Sequence, residues 1–172
     1  MALTEDELIA ILDDLGIEHQ IHRHPPLFTV EDSKALRGDL PGEHVKNMFL
    51  KDKKGGLWLV TCLEERRFKI RDLEKALGAP KMSFGKPELL DEVLGVKPGA
   101  VTPFAIVNDR EARQVRMILD AQMMAAETLN AHPLHNEATI ALSAADLARF
   151  IEWCGVEPKS LDFDALEAAS AD

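Results

Sequence analysis

The sequence lacks the features that mark secreted and membrane proteins. Its 172 residues include only two cysteines, Cys62 and Cys154, which lie too far apart to form a disulfide framework or a zinc ribbon. Charged residues interrupt every apolar stretch well before the ~20 residues that a membrane-spanning helix needs. The amino-terminal segment is acidic, unlike a signal peptide. A reducing cytoplasm therefore fits best, and we expect no membrane among the partners.

The common nucleotide-binding and nucleophile motifs are also missing. No GxGxxG follows a predicted strand, and Gly85-Lys86 is followed by Pro87 where a Walker loop needs Ser or Thr. No GxSxG serine turn occurs. Cys62 lies within an apolar, β-rich run, which is typical of a buried and inert thiol. We therefore expect no cofactor and no covalent serine or cysteine nucleophile.

A metal site has only weak support. His132 and His135 are three residues apart and could share a metal ion, but Pro133 between them disfavours a regular ligand-bearing helix. Structural or substrate-positioning histidines are the better interpretation. We therefore expect no metal.

Composition and charge indicate a globular protein with an uneven surface. Hydrophobic residues make up 46% and charged residues 29% of the chain, an ordinary globular composition for one domain. The net charge is −10, yet residues 46–97 hold 12 Lys and Arg against 8 Asp and Glu, a local charge of +4. This basic middle could bind a polyanion or could be a solvated helix face, and charge alone favours neither.

The hydrophobic pattern predicts a mixed α/β domain. Thr4 and Glu7 form a capping-box signal for a first helix, and Ser143 is a helix cap near the other end. Between them the sequence predicts strands over 17–22, 45–51, 57–63, 102–107, 115–120, 127–130 and 138–142, and helices over 32–36, 72–77 and 87–94, with the last helix over 143–154. The glycine turn at 55–56 predicts an antiparallel hairpin. We expect one domain over 1–158 and an acidic tail over 159–172.

Lys46 is a polar residue inside a β-rich run. Strand alternation places Lys46, Met48 and Leu50 on one face, and Val45 and Asn47 on the other. If Met48 and Leu50 point into the core or a pocket, Lys46 must find an anion, a carbonyl group or water there. A snorkelling lysine at a sheet edge is an equally good interpretation.

Two turn-rich segments are further candidates. The segment 95–104 places two prolines before a predicted strand, so the backbone amides of Gly99 and Ala100 could bind a ligand oxygen. The segment 132–136 is a polar insert between two strands. Ordinary turn chemistry explains each segment adequately on its own, and such turns outnumber functional loops.

Taken together, these motifs resemble a known family. Thr29 after His-Pro-Pro, the run 46–50, the segment 95–104 followed by Asn108-Asp109, and the insert 132–136 occur in the order seen in the YbaK/prolyl-tRNA-synthetase-associated editing domain. The resemblance covers about residues 1–155. It implies a mixed, mainly antiparallel, barrel-like sheet flanked by helices, and hydrolysis of the ester that joins a wrong amino acid to tRNA.

The resemblance also implies site residues and partners. Lys46 corresponds to a functionally central lysine, Gly99 and Ala100 to a backbone-donor loop, and His132 and Asn136 to a pocket-lining insert. Val45, Asn47, Met48, Phe49 and Thr29 are expected substrate contacts, and Lys53, Lys54, Arg66, Arg67 and Lys69 are expected contacts of tRNA phosphates. The expected partners are aminoacylated tRNA(Pro) and prolyl-tRNA synthetase, and no DNA.

The chemistry of editing fits these residues. Prolyl-tRNA synthetase cannot strongly reject the smaller alanine, because a missing methylene weakens binding by only ~1–3 kcal/mol. An ester is already activated, so a site that positions water and stabilises the oxyanion needs no covalent nucleophile. We expect Lys46 to orient the ester or the terminal phosphate, the two amides to bind the carbonyl oxygen, and a ribose hydroxyl to help activate water.

Three alternatives remain at this point. The chain could be a non-catalytic module that binds an aminoacyl-tRNA or an amino acid. It could deacylate tRNA charged with cysteine or serine. A metal-dependent hydrolase using His132 and His135 is the weakest of the three.

Overall fold

A computed structural model of the chain describes residues 2–26, 31 and 40–171. The described elements are α1 (Glu5–Asp14), β1 (His19–Arg23), β2 (Glu43–Asp52), β3 (Leu57–Leu63), α2 (Ile70–Leu77), β4 (Met82–Phe84), α3 (Pro87–Leu94), a 3₁₀ helix (Pro103–Asp109), β5 (Val115–Asp120), α4 (Ala121–Met124), β6 (Thr128–Ala131), β7 (Ala138–Ser143), α5 (Ala144–Trp153), β8 (Lys159–Leu161) and α6 (Phe163–Ser170). Thr29 and the helix predicted over 32–36 lie outside the described residues.

The strands form one mixed sheet, which confirms the predicted fold class. Its order is β1-β7-β6-β2-β3-β5-β8, and β4 pairs with β2 beside this path. The pairs β1–β7, β6–β7, β2–β3 and β2–β4 are antiparallel, and β2–β6, β3–β5 and β5–β8 are parallel. Within the described part of the chain no pairing joins β1 to β8, so the sheet is open.

Helices cover both faces of the sheet. Residues from α1, α3, the 3₁₀ helix and α5 pack on one face in the larger core, which includes Phe49. Residues from α2 and α6 pack on the other face in a smaller core, which includes Leu50. Successive residues of β2 therefore enter different cores, as strand alternation requires.

Local signals determine several elements as predicted. Thr4 and Glu7 form the capping box of α1, and the Ser143 hydroxyl accepts a hydrogen bond from the Asp146 amide at the start of α5. The hairpin of β2 and β3 turns at Asp52, whose carboxylate accepts the Lys54 and Gly56 amides. Satisfied turn amides hold the register between the two strands.

The strand predicted over 102–107 is wrong. Residues 103–109 form a 3₁₀ helix instead, with Pro103 in its first turn and the Thr102 hydroxyl accepting the Phe104 amide. Proline lacks an N–H for a strand ladder but suits the first turn of a helix. A strand pattern cannot be distinguished from a short buried helix in so apolar a run.

The tail expected over 159–172 packs on the sheet. Residues 159–161 form β8 beside β5, and the buried Phe163 and Leu166 of α6 join the smaller core. The acidic composition of this segment does not reveal these two apolar anchors. The described residues contain no helix long and apolar enough to cross a membrane.

Candidate functional site

A gap along one edge of β2 defines the candidate site. On this edge β6 pairs with β2 only at Glu43 and His44, and β4 pairs with it only from Leu50 onward. No other described strand is registered there between residues 45 and 49. Phe49 O accepts the Gly85 amide on this edge, whereas His44 O accepts the Glu64 amide on the β3 edge. Alternation therefore directs the backbone N–H and C=O of Asn47 into the gap.

A cleft lies where β2 and β6 separate, and we call it the His132 cleft. It is lined by His44, Val45, Asn47, Glu64, Asn130, Ala131, His132 and Thr139. The structure thus brings together three of the predicted substrate contacts, Val45, Asn47 and His132. Val45 and Ala131 supply apolar walls, and the other residues supply polar atoms.

His132 has a defined tautomer. Its Nδ1 lies 3.1 Å from Ala138 O, and because a carbonyl oxygen only accepts, Nδ1 carries the proton and Nε2 is left as an acceptor. Burial lowers the pKa of His132, which keeps the ring neutral near pH 7. The Thr102 hydroxyl donates to His132 O over 2.6 Å. This bond ties the end of the 95–102 loop to the cleft.

Asn47 and Thr139 are oriented by hydrogen bonds behind the cleft. Asn47 Oδ1 accepts the Thr61 hydroxyl at 2.6 Å, so the Nδ2 group is the end that can donate to a ligand. His24 Nδ1 lies 2.9 Å from Pro25 O, so its Nε2 accepts the Thr139 hydroxyl at 2.8 Å. The oxygen of Thr139 keeps its lone pairs for the cleft.

Asn130 adds a buried acceptor that the sequence did not reveal. Its Nδ2 donates to Pro41 O and Glu43 O, while its buried Oδ1 has no hydrogen-bond partner among the described residues. A buried acceptor without a donor is costly, and such atoms in native proteins require an explanation such as a ligand. The sequence did not indicate three of the cleft residues, Asn130, Thr139 and Glu64. Each lies in or directly after a β-rich run, a pattern typical of residues that only build the sheet.

Lys46 lies on the opposite face of β2 from Asn47. Its ammonium donates to Arg66 O and stands 5.6 Å from the centre of the Phe68 ring. Met48, on the same face as Lys46, packs against the smaller core, and Phe49 belongs to the larger core. Of the two sequence interpretations of Lys46, an inward lysine that binds a carbonyl group describes the structure.

In the loop formed by residues 95–102, one of the two backbone amides predicted to be free is already hydrogen-bonded. Ala100 N–H donates to Lys97 O over 2.9 Å, so the expectation that this amide is free for a ligand is wrong. The turn is closed by Gly99, whose φ of +87° lies in the left-handed region that favours glycine. Asn136 is half-buried in the insert after His132.

Arg66 is not a phosphate contact, contrary to the prediction. Its guanidinium is buried and bonds Asp120, Asp164 and Glu167. The residues beside Arg66 in the sequence do not indicate this network, because its acids come from β5 and α6. The predicted phosphate contacts Lys53, Lys54, Arg67 and Lys69 are all exposed.

The other reactive groups are occupied or inert. His135 Nδ1 accepts the Glu137 amide, and its Nε2 lies 2.8 Å from Glu5 Oε1, away from His132. Across the described ranges no three His, Cys, Asp or Glu side chains come together as a metal site. Burial raises the pKa of Cys62 to about 12, which agrees with the prediction of an inert thiol.

The sequence profile and the relatives that match this chain all relate to the editing of aminoacyl-tRNA or to prolyl-tRNA synthetase. The sequence profile described as "Aminoacyl-tRNA editing domain" matches residues 24–150. The chain is 38% identical over 160 residues to prolyl-tRNA synthetase associated domain-containing protein 1 of Danio rerio, covering 92% of this chain and 86% of that one. It is 31% identical to the prolyl-tRNA editing protein ProX of Acetoanaerobium sticklandii, covering 92% and 97%.

A solved structure shares the fold. The crystal structure of a candidate trans-editing enzyme for prolyl-tRNA synthetase superposes with a TM-score of 0.65 at 16% identity, covering 94% of this chain and 98% of that one. At this identity the likeness concerns the fold alone.

Proposed function

The chain belongs to the aminoacyl-tRNA editing domain family, and on that premise we propose that it hydrolyses mischarged tRNA(Pro), with alanyl-tRNA(Pro) as the main substrate. It is an aminoacyl-tRNA deacylase of the prolyl-tRNA editing type.

The observation that carries the proposal is the set of acceptors in the His132 cleft. His132 Nε2, Asn130 Oδ1 and the Thr139 oxygen can each accept a hydrogen bond there. The buried carboxyl of Glu64 lines the same space. An α-ammonium group offers three N–H donors and a positive charge, which matches such a cleft. Every aminoacyl ester except the prolyl ester carries this primary ammonium group.

The walls of the cleft favour a small side chain. Val45 and Ala131 are apolar and close to the polar atoms that would hold the ammonium group. The cleft encloses only about 20 Å³, room for one small group, whereas the proline ring adds methylene groups and lacks one N–H of the primary ammonium. We infer that proline is rejected by its size and by the lost hydrogen bond, and the second of these is the stronger discriminator.

The hydrolytic step needs donors for the developing oxyanion. Asn47 offers two, its Nδ2 group at the cleft and its backbone N–H at the gap in the sheet. We assign the carbonyl oxygen to these donors and to the loop at Gly99, because Ala100 N–H is already used. Neutral His132 can accept a proton from water or from a substrate ribose hydroxyl through Nε2. Lys46 acts from the other face by holding the Arg66 carbonyl and hence the backbone beside the cleft residue Glu64.

The test is deacylation of alanyl-tRNA(Pro) with a chelator present and prolyl-tRNA(Pro) as the substrate control. We expect selective hydrolysis by the wild type and a loss of at least 100-fold in His132→Gln and Asn47→Ala, in line with the removal of a catalytic proton acceptor or of an oxyanion donor. His135→Gln is the matched control because this neighbouring side chain bonds Glu5 outside the cleft.

Several outcomes would contradict the proposal. Rapid hydrolysis of the proline ester would exclude editing of this type. Binding of aminoacyl-tRNA without hydrolysis would move the chain to the class of binding modules. Faster hydrolysis of cysteinyl- or seryl-tRNA(Pro) than of the alanyl ester would replace the substrate. Full activity of Lys46→Ala would remove Lys46 from the mechanism.

A further inference from the structure

Phe84 has an unusual environment for an apolar side chain. It ends β4 and is 64% exposed, and no other large hydrophobic residue of the described chain is exposed. Gly85 holds the strand end close to β2, since its amide bonds Phe49 O and an added Cβ would collide with the Phe49 ring. Phe84 is therefore displayed on a fixed backbone. A single exposed apolar residue is ordinary by itself. The residues around Phe84 therefore determine whether it belongs to a binding surface.

The surroundings of Phe84 are basic. Exposed lysines flank β4 and lie on the end of β2 and on the turn that follows it, and we call them the β4 lysines: Lys51, Lys53, Lys54, Lys81 and Lys86. Ser83 is opposite Lys51 in the register, and Lys53 N–H bonds Lys81 O. None of the β4 lysines forms an ion pair within the described ranges. Residues 51–54 and 81–86 contain one acid, Asp52. Its carboxylate is buried and accepts the Trp58 indole N–H.

This combination is the chemistry of an RNA-binding surface. Lysines without acid partners attract phosphates, and they stand out here because the whole chain carries a charge of −10. An exposed aromatic ring among them offers a platform on which an unpaired base can stack. A protein strand added to the open edge of β4 is less favoured, because lysines on an edge oppose strand addition.

The position of the surface relates it to the His132 cleft. Both adjoin the same gap along β2: the cleft lies beside Asn47 on one face of the strand, and Phe84, registered opposite Leu50, lies across the open edge on the other face. Three residues of a strand span about 10 Å, which is about the length of three stacked nucleotides. We propose that Phe84 stacks on an unpaired base near the 3′ end of the substrate tRNA while the β4 lysines bind the adjacent phosphates. This inference rests on the proposed function and names the residues that guide the substrate's end.

The test measures binding of uncharged tRNA(Pro), with and without its unpaired 3′ end, by fluorescence anisotropy. We expect Phe84→Ala to weaken binding of the intact tRNA about 5- to 160-fold, the effect of losing one stacked base, and to leave the shortened tRNA unaffected. Ser83→Ala is the matched control on the same strand and should bind like the wild type. Lys51→Ala and Lys81→Ala together should lower the salt slope by about 1 to 2.

The outcomes separate this inference from the proposed function. Unchanged affinity of Phe84→Ala, or an equal loss on both tRNA forms, overturns the inference even if the wild type hydrolyses alanyl-tRNA(Pro). A Phe84-dependent affinity for the intact 3′ end supports it even if no ester is hydrolysed. Self-association that Phe84→Ala abolishes, with tRNA affinity unchanged, overturns it in favour of a protein interface.

Discussion

Replacing Arg66 with methionine should destabilise the fold strongly. The Arg66 side chain is 7% exposed, and its principal partner Asp120 is 0% exposed. Arg66 Nε lies 2.9 Å and Nη2 3.2 Å from the two oxygens of that carboxylate. Methionine would fill much of the same space but would leave the Asp120 charge buried without its cation.

The buried partner determines the magnitude. Asp164 and Glu167, the other carboxylates bonded to Arg66, are 67% and 34% exposed, and pairs of this kind contribute at most about 1 kcal/mol each. Removing one partner of a buried pair costs about 3–5 kcal/mol. We therefore expect Arg66→Met to lower the free energy of unfolding by about 3–5 kcal/mol, mostly through Asp120. Arg67→Met, an exposed neighbour, should change it by less than about 0.5 kcal/mol.

Urea denaturation followed by circular dichroism measures both variants. With a slope of about 2 kcal/mol/M, the midpoint of Arg66→Met should fall by about 1.5–2.5 M. The double variant Arg66→Met/Asp120→Asn should lose less stability than the sum of the single variants, because neither charge remains buried alone. A loss below 1 kcal/mol in Arg66→Met, or strict additivity in the double variant, would refute the buried-pair argument.

Three further predictions concern titratable groups. Because burial lowers the pKa of His132, the deacylation rate should stay level from pH 7.5 to 6.5, and a rate that halves at pH 6.5 would contradict a buried neutral base. Cys62, with its pKa raised to about 12, should resist iodoacetamide at pH 8 in the native protein and react after unfolding, as measured by mass spectrometry. The hydrogen bonds from Arg23 lower the pKa of Glu5, so its share of the stability is complete above pH 4.5 and is lost as the pH falls through the folded-state pKa. Glu5→Gln should therefore flatten the acid limb of the stability curve in thermal melts, and an unchanged limb would show that the pair contributes nothing.

The parts of the fold that local sequence controls were predictable. The capping box of Thr4 and Glu7, the cap at Ser143 and the glycine turn between β2 and β3 each act through neighbours in the chain. These caps and turns depend on interactions among a few consecutive residues, so the sequence alone is enough to predict them. The strand Val115–Asp120 and the helix Pro87–Leu94 also have their predicted bounds.

Elements that depend on distant partners were missed. β4 has three residues and exists because β2 offers it an edge, and β8 exists because β5 does. Strands this short have no hydrophobic period of their own, so pairing rather than propensity determines them. Arg66 illustrates the same limit for side chains, because its burial depends on Asp120, which is 54 residues away.

The candidate site explains why the sequence predicted only some of the residues of β2 that line the cleft. Alternation correctly separates Lys46 from Asn47, but both faces of this sheet are buried by helices, so the pattern alone does not indicate which face carries the cleft. The cleft lies on the Asn47 side because β6 leaves β2 after His44. That separation opens the backbone edge of β2 and leaves Asn130 Oδ1 without a donor among the described residues. The end of one parallel strand pair thus places the acceptor Asn130 Oδ1 beside the donor groups of Asn47, and no motif within a single segment contains both.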